Sequence, residues 1–318
     1  MNQPKRKLLL LAIIAVLLIA VFMLIKVSSV NWEYVIPRRA TKILAICLTG
    51  GCIAFSSMVF QTITNNRILT PSILGLDSLY LFIQTFVVFF FGSQSLTMLN
   101  SNVNFLMSVV LMILFSIVLY YLFFRKGSQN ILLLLLIGII LGSFFSSLSS
   151  FMQMLIDPNE FLIVQDKMFA SFNSVNTDIL TICIVIITAV AIYVSRYSKF
   201  FDVMSLGKEQ AINLGIDYDR VVRNMLVVVA ILVSVSTALV GPITFLGLLV
   251  VNLAREFLKT YKHSQLIAGS ILLSIIALVG GLLIVERVFT FSTTISVIIN
   301  FVGGVYFIYL LLKERRAW

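Results

Sequence analysis

The sequence predicts an all-α membrane protein, a bundle of about ten transmembrane helices with both termini cytoplasmic. Three observations carry that expectation. Composition is the first: of 318 residues, 60% are hydrophobic and only 11% charged, and the mean hydropathy is +1.09. A soluble domain keeps roughly a quarter of its residues charged, so this chain has too little polar surface to coat a soluble globule. The second is the recurrence of apolar runs long enough to cross about 30 Å of hydrocarbon. They do not alternate, and helices are the structures that satisfy such a backbone in lipid. The third is an uneven distribution of basic residues, which sets orientation.

In chain order the expected spans are 8–26, 42–61, 72–92, 104–124, 130–152, 179–195, 222–240, 244–259, 265–285 and 296–313. The first follows a Lys5-Arg6-Lys7 cluster, as a signal peptide would. Its apolar run is long for one and no small-x-small cleavage site follows, so it reads as an uncleaved first helix. The eighth is short and bounded by Gly241-Pro242. Cys47, Cys52 and Cys183 lie inside apolar runs at spacings that fit no metal site, and read as packing residues.

With the N-terminus inside, 17 basic residues fall on the cytoplasmic side: Lys5, Arg6, Lys7, Arg67, Arg125, Lys126, Arg196, Lys199, Lys208, Arg220, Arg223, Arg255, Lys259, Lys262, Lys313, Arg315 and Arg316. Six fall outside: Lys26, Arg38, Arg39, Lys42, Lys167 and Arg287. Together they account for all 23 Lys and Arg, and the imbalance puts both termini in the cytoplasm. Cytoplasmic loops, rather than a nucleic-acid partner, explain the net charge of +10.

Four of the six outer charges sit in one connection, Lys26 to Lys42. Lys26 and Lys42 suit snorkelling at helix ends. Arg38 and Arg39, after Pro37 in a polar loop, are candidates for pairing with acidic groups on a partner. On the cytoplasmic side the longest connection, about 196–223, contains MSLGKEQAINL, Met204 to Leu214. Its apolar Met204, Leu206, Ala211 and Leu214 stand among polar residues, and Gly215 is a helix stop. The mixed charges of Lys208, Glu209, Asp217 and Asp219 disfavour a pure lipid anchor.

Catalytic chemistry is missing. No HExxH, GxSxG or GxxxxGK[ST] occurs, so the chain has no P-loop of its own. The single His263 reads as a solvated loop residue. Asp77 is the one convincing carboxylate inside a span, where a charge costs about 3 kcal/mol on insertion scales. It could couple ions, contact substrate or face a partner; a helix start, where the dipole favours a carboxylate, is the preferred reading. The fifth span carries Gly142, Ser143, Ser146, Ser147, Ser149, Ser150 and Gln153, for which a wet path is preferred over packing. For Gly50, Gly51, Ala54, Ser56, Ser57 and Gln61 of the second span, packing is preferred. Ser143, Ser146, Ser147, Ser150, Gln61 and Asp77 are the candidate lining of a translocation path.

Three segments resemble the FecCD-type permease family, which imports iron–siderophore complexes, haem and vitamin B12. Arg38 to Gly75 is similar to the family's arginine-bearing entry, its G-A-x-L-A-x-S-G-x-x-x-Q helix and the R-N-P-L-A-x-P-x-x-L-G turn. Gly50, Ala54, Ser56, Gln61, Asn66, Pro71, Leu74 and Gly75 match, with Ser57 in place of a glycine and Arg67 in place of the first proline. LGKEQAINLGIDYDRVVRN resembles the family's coupling helices. GPITFLGLLVVNLAR resembles G-P-I-x-F-x-G-L-x-x-P-H-x-x-R, with Val251-Asn252 replacing Pro-His. The C-terminal FVGGVYFIYLLLKERR is similar to G-G-P-x-F-x-x-L-L followed by basic residues.

The resemblance implies a type II ABC importer permease, one domain over 1–318 with coupling helices near 204–222, in a bacterial cytoplasmic (inner) membrane. It would pair with a second permease chain, a copy or a relative, and with two cytoplasmic ATPase subunits that bind the ATP; this chain would bind no cofactor or metal and catalyse nothing. An external binding (lipo)protein would deliver a ferric siderophore. Leu206, Gly207, Lys208, Glu209, Ala211, Leu214 and Gly215 would engage the ATPase, and Arg38, Arg39 and Arg287 would face acidic residues of the binding protein. Cobalamin or haem uptake is the alternative within the family. A different class is an ion-coupled secondary transporter using Asp77.

Overall fold

The computed structural model describes residues 3–26, 32–92, 95, 98, 100–125, 131–173, 175–291 and 293–315. Lys126 and Arg316, two of the basic residues counted above, lie outside them. The described residues form α1 (Gln3–Leu24), α2 (Trp32–Thr64), α3 (Leu76–Phe91), α4 (Ser101–Arg125), α5 (Ile131–Leu155), α6 (Pro158–Met168) and α7 (Thr177–Ser195). There follow α8 (Phe200–Met204), α9 (Lys208–Asn213), α10 (Tyr218–Val240), α11 (Leu246–Leu258), α12 (His263–Arg287) and α13 (Ile295–Arg315).

Eight of these, α1, α2, α4, α5, α7, α10, α12 and α13, are long and apolar enough to cross a bilayer. The expected count of ten is therefore approximate. Its third and eighth members are the short helices α3 and α11, of 16 and 13 residues, or about 24 and 20 Å long at about 1.5 Å per residue. Each is shortened by a non-helical lead-in. Before α3 the chain runs through a 3-10 turn, Pro71–Leu74, to Gly75 at φ +79°. Before α11, Gly241 at φ +99° stops α10, and Pro242 follows it. Irregular backbone at membrane depth survives only where protein covers it. Gly138 and Gly142 of α5 provide that cover at the first site: a Cβ on Gly142 would lie 3.1 Å from the Gly75 Cα. At the second, the stretch leaving α6 lies against the lead-in, and Ser171 N–H donates to the Val240 carbonyl at 2.8 Å.

Two further elements depart from the sequence expectation. α2 has 33 residues, about 50 Å, and begins at Trp32, so Pro37, Arg38 and Arg39 lie in helix rather than in a polar loop. The proline sits near the helix start and removes one ladder bond, to Glu33. α6 is an unexpected helix in the connection between the fifth and sixth spans. The Asp157 side chain caps it by accepting from Asn159 N–H at 2.9 Å, with Pro158 in its first turn.

α2 and α10 are the most buried spans, while α1, α7 and α13 are peripheral. α2 packs on α10, α11 and α12, and α3 on α5. Small residues permit the close approaches: a Cβ on Gly247 of α11 would overlap the Ser57 side chain of α2. Polar groups tie α3 to α4, where Gln84 Nε2 donates to Asn104 Oδ1 at 3.0 Å and Ser108 Oγ at 2.8 Å. Cys52 and Cys183 are buried and unpaired, and Cys47 is half-buried.

The two ends of the bundle separate cleanly. At one, Lys7 Nζ donates to the Phe257 carbonyl at 2.6 Å, a cation at the C-terminus of α11, and Tyr218 Oη donates to the Ile63 carbonyl. At the other, Lys42 pairs with Glu286 at 3.1 Å instead of snorkelling free. These groupings agree with the sides assigned from charge.

Candidate functional site

In the segment expected to carry coupling helices, two short helices form, α8 and α9. Gly207, at φ +102°, separates α8 from α9, and Gly215, at φ +83°, follows α9. Met204 and Ala211 point inward and are buried. Leu206, Ile212 and Leu214 are 59%, 49% and 64% exposed, an apolar surface projecting from the end that carries Lys7. Glu209 is exposed beside it, whereas Lys208 is held within the chain by Asp219 at 3.6 Å.

His263 roots this segment. Expected as a solvated loop residue, it is 4% exposed at the start of α12. Its Nδ1 lies 2.8 Å from Asp202 Oδ1 on α8, and its backbone N–H donates to the same oxygen at 2.7 Å. Its Nε2 lies 3.0 Å from Thr62 Oγ1 on α2. One ring thus ties α8 to the end of α2 and the start of α12. A lone histidine in a basic stretch gave no sign of this, because both partners are distant in sequence.

At the opposite end the three arginines differ. Arg38 is exposed, its guanidinium 4.2 Å from the Tyr34 ring centroid. Arg39 Nη1 donates to the carbonyls of Phe22, Met23 and Ile25 at 2.8, 2.9 and 2.8 Å, closing the C-terminal turn of α1 as a cation there should. Arg287 is half-buried beside the Lys42–Glu286 pair, with no partner for its Nε. Nearby, a cavity of about 400 Å³ lies between α6 and the Gly241 lead-in, lined by Tyr80, Asp166, Lys167 and Gly241. Burial pushes the Lys167 amine below the usual lysine range, with Asp166 opposing the shift.

The candidate path residues lie in three separate places. Ser143, Ser146, Ser147 and Ser150 are exposed on the surface of α5, not inside the chain; Ser146 Oγ donates to Ser78 Oγ at 3.0 Å. Asp77 is half-buried in the first turn of α3, accepting from Thr237 at 3.4 Å and Thr244 at 3.5 Å, a carboxylate at a helix N-terminus. Gln61 opens onto a cavity of about 550 Å³ at the α8–α9 end, with Arg67, Arg255 and His263. Asn252, one of the departures from the family pattern, reaches the same place and donates to the Arg67 carbonyl at 3.0 Å.

Residues 7–313 match the FecCD transport family. The chain belongs to that family. Among curated relatives, the petrobactin import system permease protein YclO of Bacillus subtilis is 67% identical over 99% of this chain and 100% of its own length. FatC, the petrobactin import system permease protein of Bacillus anthracis, is 37% identical over 92% of this chain and 82% of its own. A solved chain described as an inward-facing conformation of a metal-chelate type ABC transporter superposes with a TM-score of 0.85 at 22% identity, covering 97% of this chain and 99% of that one. That likeness speaks to the fold alone, which is that of a multi-pass membrane permease. In this FecCD chain, α8–α9 marks one end and Arg38 and Arg287 the other, with the two short helices between.

Proposed function

We propose that this chain is the membrane-spanning permease subunit of an ABC importer in a bacterial cytoplasmic membrane, and that its cargo is an iron(III)–siderophore of the petrobactin class. The single observation that carries the cargo is the 67% identity to a petrobactin import permease along the whole length of both chains. With no P-loop in the sequence, nucleotide would be bound and hydrolysed by two partner ATPases meeting Leu206, Ile212 and Leu214. A second permease chain would cover the exposed serine face of α5, so that Ser143, Ser147 and Ser150 line a path between chains rather than within one. An external binding protein would deliver the chelate to the Arg38 and Arg287 end, with acidic residues meeting those cations. His263 would pass movement of α8 to α2 and α12.

The test is uptake of ⁵⁵Fe-petrobactin by cells deleted for this chain, with and without a plasmid copy. Loss on deletion and return on complementation is the expected result. Unchanged petrobactin uptake on deletion, with loss of another ferric chelate or of cobalamin instead, would reassign the cargo.

A further inference from the structure

We propose that the cavity between α2, the 65–67 turn and α11 is an oxyanion-binding site, taking a carboxylate or phosphate group from the α8–α9 side. Three cations line it, Arg67, Arg255 and Lys259, and the carboxylate of Glu256 shares the wall, accepting from Tyr306 Oη at 3.4 Å. Among the described residues, none of the three cations has a carboxylate oxygen within 4.0 Å. Arg67 and Arg255 therefore face one cavity as like charges.

The wall also holds polar groups that the protein leaves unanswered. Gln61 is 1% exposed, and neither its amide oxygen nor its amide nitrogen has a hydrogen-bond partner in the protein. The same is true of Arg255 Nε, although its Nη2 reaches the Met58 sulfur at 3.5 Å. A buried polar group left unpaired costs about 1–3 kcal/mol, so these side chains call for a polar occupant. Water would satisfy Gln61 but would not offset two guanidinium groups. An oxyanion offsets that charge: it accepts from Gln61 Nε2 and Arg255 Nε, leaving the Gln61 amide oxygen to a bridging water, and forks onto charged donors with strengthened hydrogen bonds. His263 sits on the same wall but is spoken for by Asp202 and Thr62. The volume, about 550 Å³, exceeds a lone phosphate, which suits an anionic group borne on a larger molecule. An occupant bridging Arg67 to Arg255 would clamp the turn that leaves α2 onto α11, beside the lead-in to α3.

The test uses the full chain in phosphatidylcholine nanodiscs, titrated calorimetrically with inorganic phosphate and, separately, citrate, against chloride at matched ionic strength. Saturable binding is expected, weakened about tenfold or more by Arg255→Gln and by Arg67→Gln. Arg67 is exposed, so its variant keeps the fold; gel filtration of both variants checks this. A second arm adds phosphatidylglycerol and records retained lipid by native mass spectrometry. Phosphate or citrate binding in the first arm assigns a soluble oxyanion. Retained phosphatidylglycerol lost in Arg255→Gln assigns a lipid headgroup. No binding in either arm, or binding unaltered by both substitutions, overturns the proposal.

Discussion

Two adjacent arginines show how much a single position can mislead. Arg38 and Arg39 share a charge, a helix and a side of the membrane, yet one is exposed and the other closes α1. Arg39→Ala is expected to destabilise the fold by about 1–3 kcal/mol, read as a lower melting temperature in detergent. Arg38→Glu should leave melting unchanged and reduce binding-protein-dependent uptake severalfold. Equal melting of both variants would remove the distinction. Asp77 permits a separate test. Its carboxylate accepts two threonine hydroxyls at the start of α3, so Asp77→Asn, which keeps one acceptor, should retain uptake within about threefold. Complete loss of transport, with the folded protein intact, would favour ion coupling. Sequence could place Asp77 near a helix start because Leu-Gly-Leu-Asp leads an apolar run. It could not find Thr237 or Thr244, which come from another span and its following loop.

At the scale of elements, apolar run length located the spans and erred where irregular backbone is covered by protein. The run 72–92 opens inside the 3-10 turn Pro71–Leu74 and its cap Gly75, a stretch seated against α5. The polar stretch before residue 42 is the outer end of a helix too long for the bilayer. Gly207 splits the coupling segment, a conformational event that spacing of apolar residues does not reveal. The exposed apolar surface there predicts that the pair Leu206→Ser and Leu214→Ser will cut co-purification of an ATPase subunit about tenfold or more while leaving melting unchanged. Retained co-purification would place the coupling surface elsewhere. The α2–α11 contact gives a complementary expectation. Gly247→Val, whose Cβ would meet Ser57, should force the helices apart, destabilise by at least about 1–3 kcal/mol, and lower folded yield on gel filtration.

At the scale of the whole molecule, composition and charge asymmetry gave the architecture, because lipid constrains backbone and orientation more strongly than it constrains any side chain. Lys7 meets α11 at the end where α8 and α9 lie, and Arg39, Lys42 and Glu286 gather at the other. The path was less legible. A single sequence shows polar residues in spans but not which of them face another chain, and the serines of α5 fall on the outer surface of this one. Selectivity and energy would then reside largely in partners. The most direct measurement reconstitutes the permease in proteoliposomes with its partner permease, the ATPases and the loaded external binding protein. ⁵⁵Fe-siderophore accumulation should require ATP on the α8–α9 side, and should persist when proton and sodium gradients are collapsed. Accumulation driven by an ion gradient without ATP or the ATPases would contradict the account.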